Sequence, residues 1–235
     1  MNATQRWQEL ISDNLASASI PGARKQQISF SAIQAGLAAG QGGAGYVIPA
    51  ANTAINFQQG ELHSSGNSMD FAVEGPGFFS VQLPDGRTGY TRNGQFQLNT
   101  KGQLTTAQGY PVLGDSGPIQ FDPNHSNPIT VSASGEVSQG AEKKGKLQIA
   151  EFNQPNQLTA ISRGLFYADS PDLKPTGTSA ASSVRQGFIE SANTSPTVEM
   201  ATLITAMRMF ESNQKVLQMQ SDRMSREISE LGNPS

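Results

Sequence analysis

The chain has 235 residues, no cysteine, and 16 basic against 19 acidic side chains, a formal charge of -3. Disulfides, thiolate chemistry and cysteine-held zinc are therefore excluded, and the slightly acidic balance lacks the basic stripe that nucleic acid requires. Charged residues are 15% of the chain, against ~25% in ordinary soluble proteins, which leaves Ser, Thr, Asn and Gln to cover much of the surface.

The first stretch, "MNATQRWQELISDN", is too polar for the apolar core of roughly 7–15 residues that marks a secretory signal. No run approaches the ~18 apolar residues of a membrane span, so no membrane insertion is expected, and composition alone reads as cytoplasmic. Residues 4–18 place Trp7, Leu10, Ile11, Leu15 and Ala18 at helical spacing, and Pro21-Gly22 stops the run. A short amphipathic helix is expected.

The next feature is "AAGQGGAGY", whose Gly40, Gly42 and Gly45 spell the G-x-G-x-x-G of dinucleotide loops. That fingerprint needs a strand before it and a helix after it, so that phosphate meets the helix N-terminus. Here "FSAIQAGLAA" reads as helical or irregular, and β-prone "YVIP" follows. Gly40, Gly42, Gly43 and Gly45 are accordingly expected to be a hinge, and no cofactor is expected.

From about 46 to 183 the texture is short β-prone runs between turns: "DFAVEG", "GFFSVQL", "GYTRNGQFQLN", "GYPVLG". Pro84-Asp85-Gly86 is a turn, and Asn93-Gly94, between "TGYTR" and "QFQLN", predicts a hairpin. The rhythm predicts an antiparallel β sandwich or barrel. Within it, Gly114-Asp115-Ser116-Gly117-Pro118 resembles the sequence around a serine protease nucleophile with one glycine missing. His63 is the sole upstream base, without the required surroundings, and a turn is expected instead. His63 and His125 have no carboxylate at metal-binding spacing, so no metal is expected.

After "SANTSPT" the chain turns helical. Leu203, Phe210, Leu217, Met224 and Leu231 form one seven-residue series, and Met200, Met207, Gln214, Ser221 and Ile228 its companion. This a/d seam predicts a helix of ~35 residues, about 50 Å long. The first helix can cover only part of it, and an exposed apolar seam means assembly or aggregation.

Several stretches in order resemble the bacterial flagellar basal-body rod and hook protein family. "DNLASASIPGARKQQ" (13–27) is similar to its N-terminal N-N-L/I-A-N-x-x-T-P-G-F/Y-K-R signature. Residues 57–114 resemble its β-domain run, with Gly-x-Gly-Phe-Phe, Tyr-Thr-Arg-x-Gly-x-Phe and Gly-x-Leu. Residues 149–169 resemble its Phe-x-Asn-Pro-x-x-Leu segment, and 185–224 its C-terminal Gln-Gly-x-x-Glu-x-Ser-Asn and Glu-Met motif. Asp13, Ser17, Ile20 and Ala23 depart from the first signature, Ala192 stands between Ser191 and Asn193 in the last, and Met1 falls a little inside the family's first helix.

The resemblance implies a non-enzymatic structural subunit of the rod, part of the motility apparatus, with proximal and distal rod both open; the hook protein is longer. It implies export without a cleaved signal peptide through the type III apparatus, hence a place in the basal body and cell envelope or periplasm, against the compositional reading. Expected partners are copies of the chain and other axial proteins, rod and hook, with no small-molecule substrate. The expected organisation is an N-terminal helix and following segment (1–35), a Gly-rich joint and linker (36–70), a β domain (71–185) and a long helix (186–235) pairing with the first as a coiled-coil-type module. Trp7, Leu10, Ile11, Leu15, Met200, Leu203, Met207, Phe210, Leu217, Met224, Ile228 and Leu231 are the expected assembly interface. Rival readings are an adhesin or lectin-like module using Phe78, Phe79 and Tyr90, and a hydrolase using Ser116 and His63.

Overall fold

In the computed structural model, which describes residues 2–34, 47–123, 127–162, 164–169, 173, 175 and 182–231, the chain begins with helix α1 (Asn2–Ser17). A turn follows it: the Ile20 N–H donates to the Ser17 carbonyl at 2.9 Å, and Gly22 takes a φ of +69°, a conformation open to a residue without Cβ. Strands β1 (Gln26–Gln34) and β2 (Val47–Ile55) then pair with each other. Strand β1 corrects the helical or irregular reading of "FSAIQ". Ile28, Phe30 and Ala32 alternate with Ser29 and Ser31, a period of two that the glycines downstream obscured. The hinge glycines Gly40, Gly42, Gly43 and Gly45 lie outside the described residues.

The chain divides into two compact units, one of residues 1–15, 27–53 and 195–235, the other of 16–26 and 54–194. The second is the β body. Its first half holds β3 (Leu62–Ser64), β4 (Phe71–Glu74), β5 (Phe78–Gln82), β6 (Thr88–Thr91), β7 (Phe96–Leu98), β8 (Leu104–Thr106), β9 (Leu113–Gly114) and β10 (Gly117–Pro118). Its second half holds β11 (Ile129–Val131), β12 (Glu136–Gln139), β13 (Glu142–Lys146), β14 (Ile149–Ala150), β15 (Leu158–Ser162), β16 (Leu165–Ala168), β17 (Ser183–Gln186) and β18 (Phe188–Glu190). A five-stranded antiparallel sheet in the order β14-β5-β6-β16-β15 is the centre, accompanied by β11-β12-β13 and by the pairs β7-β8, β9-β10, β4-β17 and β3-β18.

Both faces of the central sheet are covered. Alternation along β5 sends Phe79 and Val81 into the larger core with Phe71, Phe96 and Leu147, and Phe78 into an aromatic cluster with Tyr90, Phe152 and Phe166. Rings meet edge to face, Phe79 on Phe96 at 5.1 Å and Tyr90 on Phe152 at 4.8 Å, the arrangement their quadrupoles favour.

Pro84-Asp85-Gly86 joins β5 to β6 as expected, with Gly86 at φ +82° and the Asp85 carboxylate accepting from the Arg87 N–H at 3.0 Å. Asn93-Gly94 does something else. Strand β6 pairs with β5 and β16 while β7 pairs with β8, so these residues turn a corner between sheets and not a hairpin. Gly94 is required there by crowding, because a Cβ would collide with the Phe71 carbonyl and meet the Phe79 ring at 3.1 Å. Gly114 opposes Gly117 across Asp115-Ser116, a tight turn. The chain closes with helix α2 (Pro196–Leu231), 36 residues and so about 54 Å long, with proline in its first position, where no N–H is missed. The fold is mainly antiparallel β between terminal helices, as the sequence implies.

Candidate functional site

In the helical unit, α1 supplies Leu10, Ile11 and Asn14 as buried positions, with Trp7 and Leu15 half-buried. Trp7 shares a groove with Val198, Ala201, Thr202 and Thr205 of α2. The two threonine hydroxyls bond back to the Val198 and Ala201 carbonyls at 2.8 and 2.9 Å, which satisfies them within the helix.

On α2 the inward positions are Glu199 and Ala206, both buried, with Leu203 and Phe210 half-buried. At 100° per residue, Glu199, Leu203, Ala206, Phe210, Leu217, Met224 and Ile228 lie within a band of about 60°. Its first half is covered. The second half is bare: every residue from 211 to 228 is exposed, with Leu217 at 46%, Met224 at 66% and Ile228 at 69%. Met200 and Met207, in the companion series, are also exposed. The Leu231 side chain lies outside the described residues. Ala206 and Glu199 were missed because neither is a large apolar residue; the three-residue step from Leu203 to Ala206 was the available signal.

A second feature lies in the β body and was also missed. The Glu190 carboxylate sits at 0% exposure between two arginines, with Arg24 Nη2 at 2.6 Å from one oxygen and Arg92 Nη1 at 3.2 Å from the other. The Gly60 N–H donates to the same oxygen that Arg24 approaches, at 2.8 Å, and the Glu190 carbonyl accepts from the Gly22 N–H at 2.7 Å. Arg92 also donates to the Gly75 carbonyl at 2.6 Å and stacks over the Phe78 ring at 4.8 Å. Burial pushes the Arg92 guanidinium down to about 10, against the pull of Glu190 and with the push of Arg24. Three residues on, Asn193 ties the same segments: its Oδ1 accepts from the Lys25 N–H at 2.6 Å, and its Nδ2 donates to the Asn56 and Gln58 carbonyls at 2.8 and 2.9 Å.

These residues come from three of the four stretches that carry the resemblance: Gly22 and Arg24 from "PGARK", Arg92 from "YTRNGQF", Glu190 and Asn193 from "RQGFIESAN". The Glu-to-Asn spacing equals that of the family motif, so Ala192 is a replacement and not an intrusion. Gly22 must be glycine, because a Cβ would collide with the Arg92 and Asn93 backbone.

The rival sites come apart. Phe78, Phe79 and Tyr90 are buried, which removes them as a surface for ligand. Ser116 lies in the β9–β10 turn, whereas His63 is on β3 opposite Ile189 with Glu61 3.6 Å away. His125 lies outside the described residues, among which no group of acids and histidines could hold a metal. No helix among them is long and apolar enough to cross a membrane.

A strand-rich body carrying a long helix with half its apolar stripe bare is the construction of a structural assembly subunit. Two family models match, the flagellar hook protein FlgE/F/G D1 domain over residues 72–139 and the flagellar basal body rod FlgEFG protein C-terminal region over 185–231. The chain is 32% identical to the flagellar basal-body rod protein FlgG of Buchnera aphidicola subsp. Schizaphis graminum, over 98% of this chain and 96% of that one. It is 30% identical to the rod protein FlgF of Mesorhizobium japonicum over 99% and 95%, and 36% identical to FlgG of Borreliella burgdorferi over 72% and 66%. The chain belongs to the flagellar basal-body rod protein family, and its role is that of a structural subunit of the rod.

Proposed function

We propose that this rod subunit assembles helically with copies of itself and with other axial proteins, rod and hook, through its terminal helices. The interface comprises Trp7, Leu10, Ile11 and Leu15 on α1 and, on α2, Met200, Leu203, Met207, Phe210, Leu217, Met224, Ile228 and Leu231, with α1 and α2 pairing as a coiled-coil-type module. The observation that supports this is the stripe on α2 through Leu203, Phe210, Leu217, Met224 and Ile228, whose covered and bare halves are in line. A heterologous contact that does not close into a ring gives a helical polymer. In the same reading the chain is not an enzyme, the glycines at 40, 42, 43 and 45 are the joint, the organisation is 1–35, 36–70, 71–185 and 186–235, and the subunit works in the cell envelope after export without a cleaved signal peptide. Leu217→Asp tests it: loss of sedimentable polymer and of motility, with the β body still folded, is the expected result. Normal rods from that strain would refute the seam.

A further inference from the structure

We propose that the buried Arg24–Glu190–Arg92 triad is a register lock, which holds the lead out of α1 and the lead into α2 at one point of the β body and thereby sets assembly competence. The lock acts by fixing position and adds nothing to the stability of the body. Its assembly consequence rests on the proposed role of the terminal helices.

The triad is poorly built as a stabiliser. Within the triad one carboxylate faces two guanidinium groups, a surplus of one positive charge that the more distant Glu151 carboxylate offsets in part, in a site where Arg24 and Glu190 have side chains at 0% exposure. Among the described residues the Nε and Nη1 of Arg24 have no acceptor, and its Nη2, although 2.6 Å from Glu190, is not aligned to donate. The Nε of Arg92 is likewise without an acceptor among them. Buried donors left unmet are destabilising, and exchanging a buried ion network for apolar side chains is often neutral or stabilising. The lowered Arg92 value carries the same message, since desolvation there outweighs the attraction of Glu190.

What the triad does supply is position. Glu190 reaches Gly22 through its carbonyl, Gly60 and Arg24 through one carboxylate oxygen, and Arg92 through the other. Asn193 adds Lys25, Asn56 and Gln58. The N-terminal lead at 22–25, the segment at 56–60 and the C-terminal lead at 190–193 are thus fixed to one another and to Arg92, the residue after β6. An apolar cluster would be satisfied by several sliding arrangements, whereas a fork of two oxygens facing two guanidinium groups selects one.

Arg24→Met tests the lock, because it keeps an unbranched side chain, removes the surplus charge and leaves the Glu190–Arg92 pair. In the full chain the urea midpoint is expected to stay or rise, while amide exchange at Gly22 and Lys25 speeds at least about tenfold relative to the amides of β5. Sedimentable polymer at fixed concentration is expected to fall with it. Asn193→Ala, which cuts the same lead from the other side, is expected to speed exchange at Lys25 too. A midpoint that falls with exchange rising throughout the body would make the triad a stabiliser and overturn the proposal, as would unchanged exchange at Gly22 and Lys25. Faster exchange with undiminished polymer would overturn the link to assembly. If the unaltered chain forms no polymer, the assembly reading itself fails, and the exchange measurement still decides whether the lock exists.

Discussion

Replacing Leu217, Met224 and Ile228 together by glutamine isolates the contribution of the bare stripe. Glutamine is nearly as good a helix former as leucine or methionine, so the helix itself is preserved. The three side chains are 46%, 66% and 69% exposed in the single chain. Full burial of such a side chain contributes about 1.5–3 kcal/mol, so covering the exposed fraction contributes roughly 0.7–1.4 kcal/mol at Leu217 and roughly 1–2 kcal/mol at each of the others. Loss of all three removes roughly 3–5 kcal/mol per subunit added, or about two to four powers of ten in critical concentration. The translational and rotational cost of association is common to both chains and cancels in the comparison. Pelleting across a concentration series gives the critical concentration, and far-ultraviolet circular dichroism checks the helix. A triple variant that polymerises at the unaltered chain's concentration with its helix intact would show that this face does not assemble.

Gly94→Ala forces a Cβ onto the Phe71 carbonyl, a backbone atom that cannot swing aside, and should lower the stability of the β body by about 3 kcal/mol in urea unfolding. Burial raises the Tyr90 phenol above its ordinary value; its folded value being the higher one, the stabilisation is fully present below about pH 10 and is lost as pH climbs through the folded value. Urea midpoints measured across that alkaline range should fall, with phenolate absorbance tracking the fall, and Tyr90→Phe should remove that component. Trypsin should cut the free chain at Lys215, Arg223 and Arg226, which lie in the bare half of α2, before it cuts at buried Arg92, and polymer should protect the helix sites; equal resistance of all four in the free chain would contradict an unpartnered helix.

The elements that local chemistry decides were legible in the sequence. Pro84-Asp85-Gly86 makes its turn because proline, aspartate and glycine each do their part within four residues, and α2 keeps its helical period over its full length. Asn93-Gly94 misled because the pair also serves where a strand leaves one sheet for another. Whether Gly94 tightens a hairpin or admits the Phe71 carbonyl depends on a strand that precedes it in sequence and pairs elsewhere. Strand β1 was hidden by its neighbours: the glycines after it drew the reading toward loose chain, while the Ile28, Phe30, Ala32 alternation was already present.

The lock was illegible for a different reason. Arg92 and Glu190 are 98 residues apart, and Lys25 and Asn193 are 168 apart, so no short window of sequence holds both partners of either contact. A lone Arg24 beside Lys25 reads as a solvated basic pair. Burial contradicts that, since Arg24 is 5% exposed and Ala23 beside it 1%. The first, middle and last signatures of the family resemblance are therefore better understood as one object in three pieces. Gly22 admits the Arg92 backbone, Arg92 and Arg24 take the two oxygens of Glu190, and Asn193 closes the group over Lys25. In a chain whose helical stripe is half bare, placing the two leads is the task that a charged, imperfectly satisfied centre performs better than a greasy one.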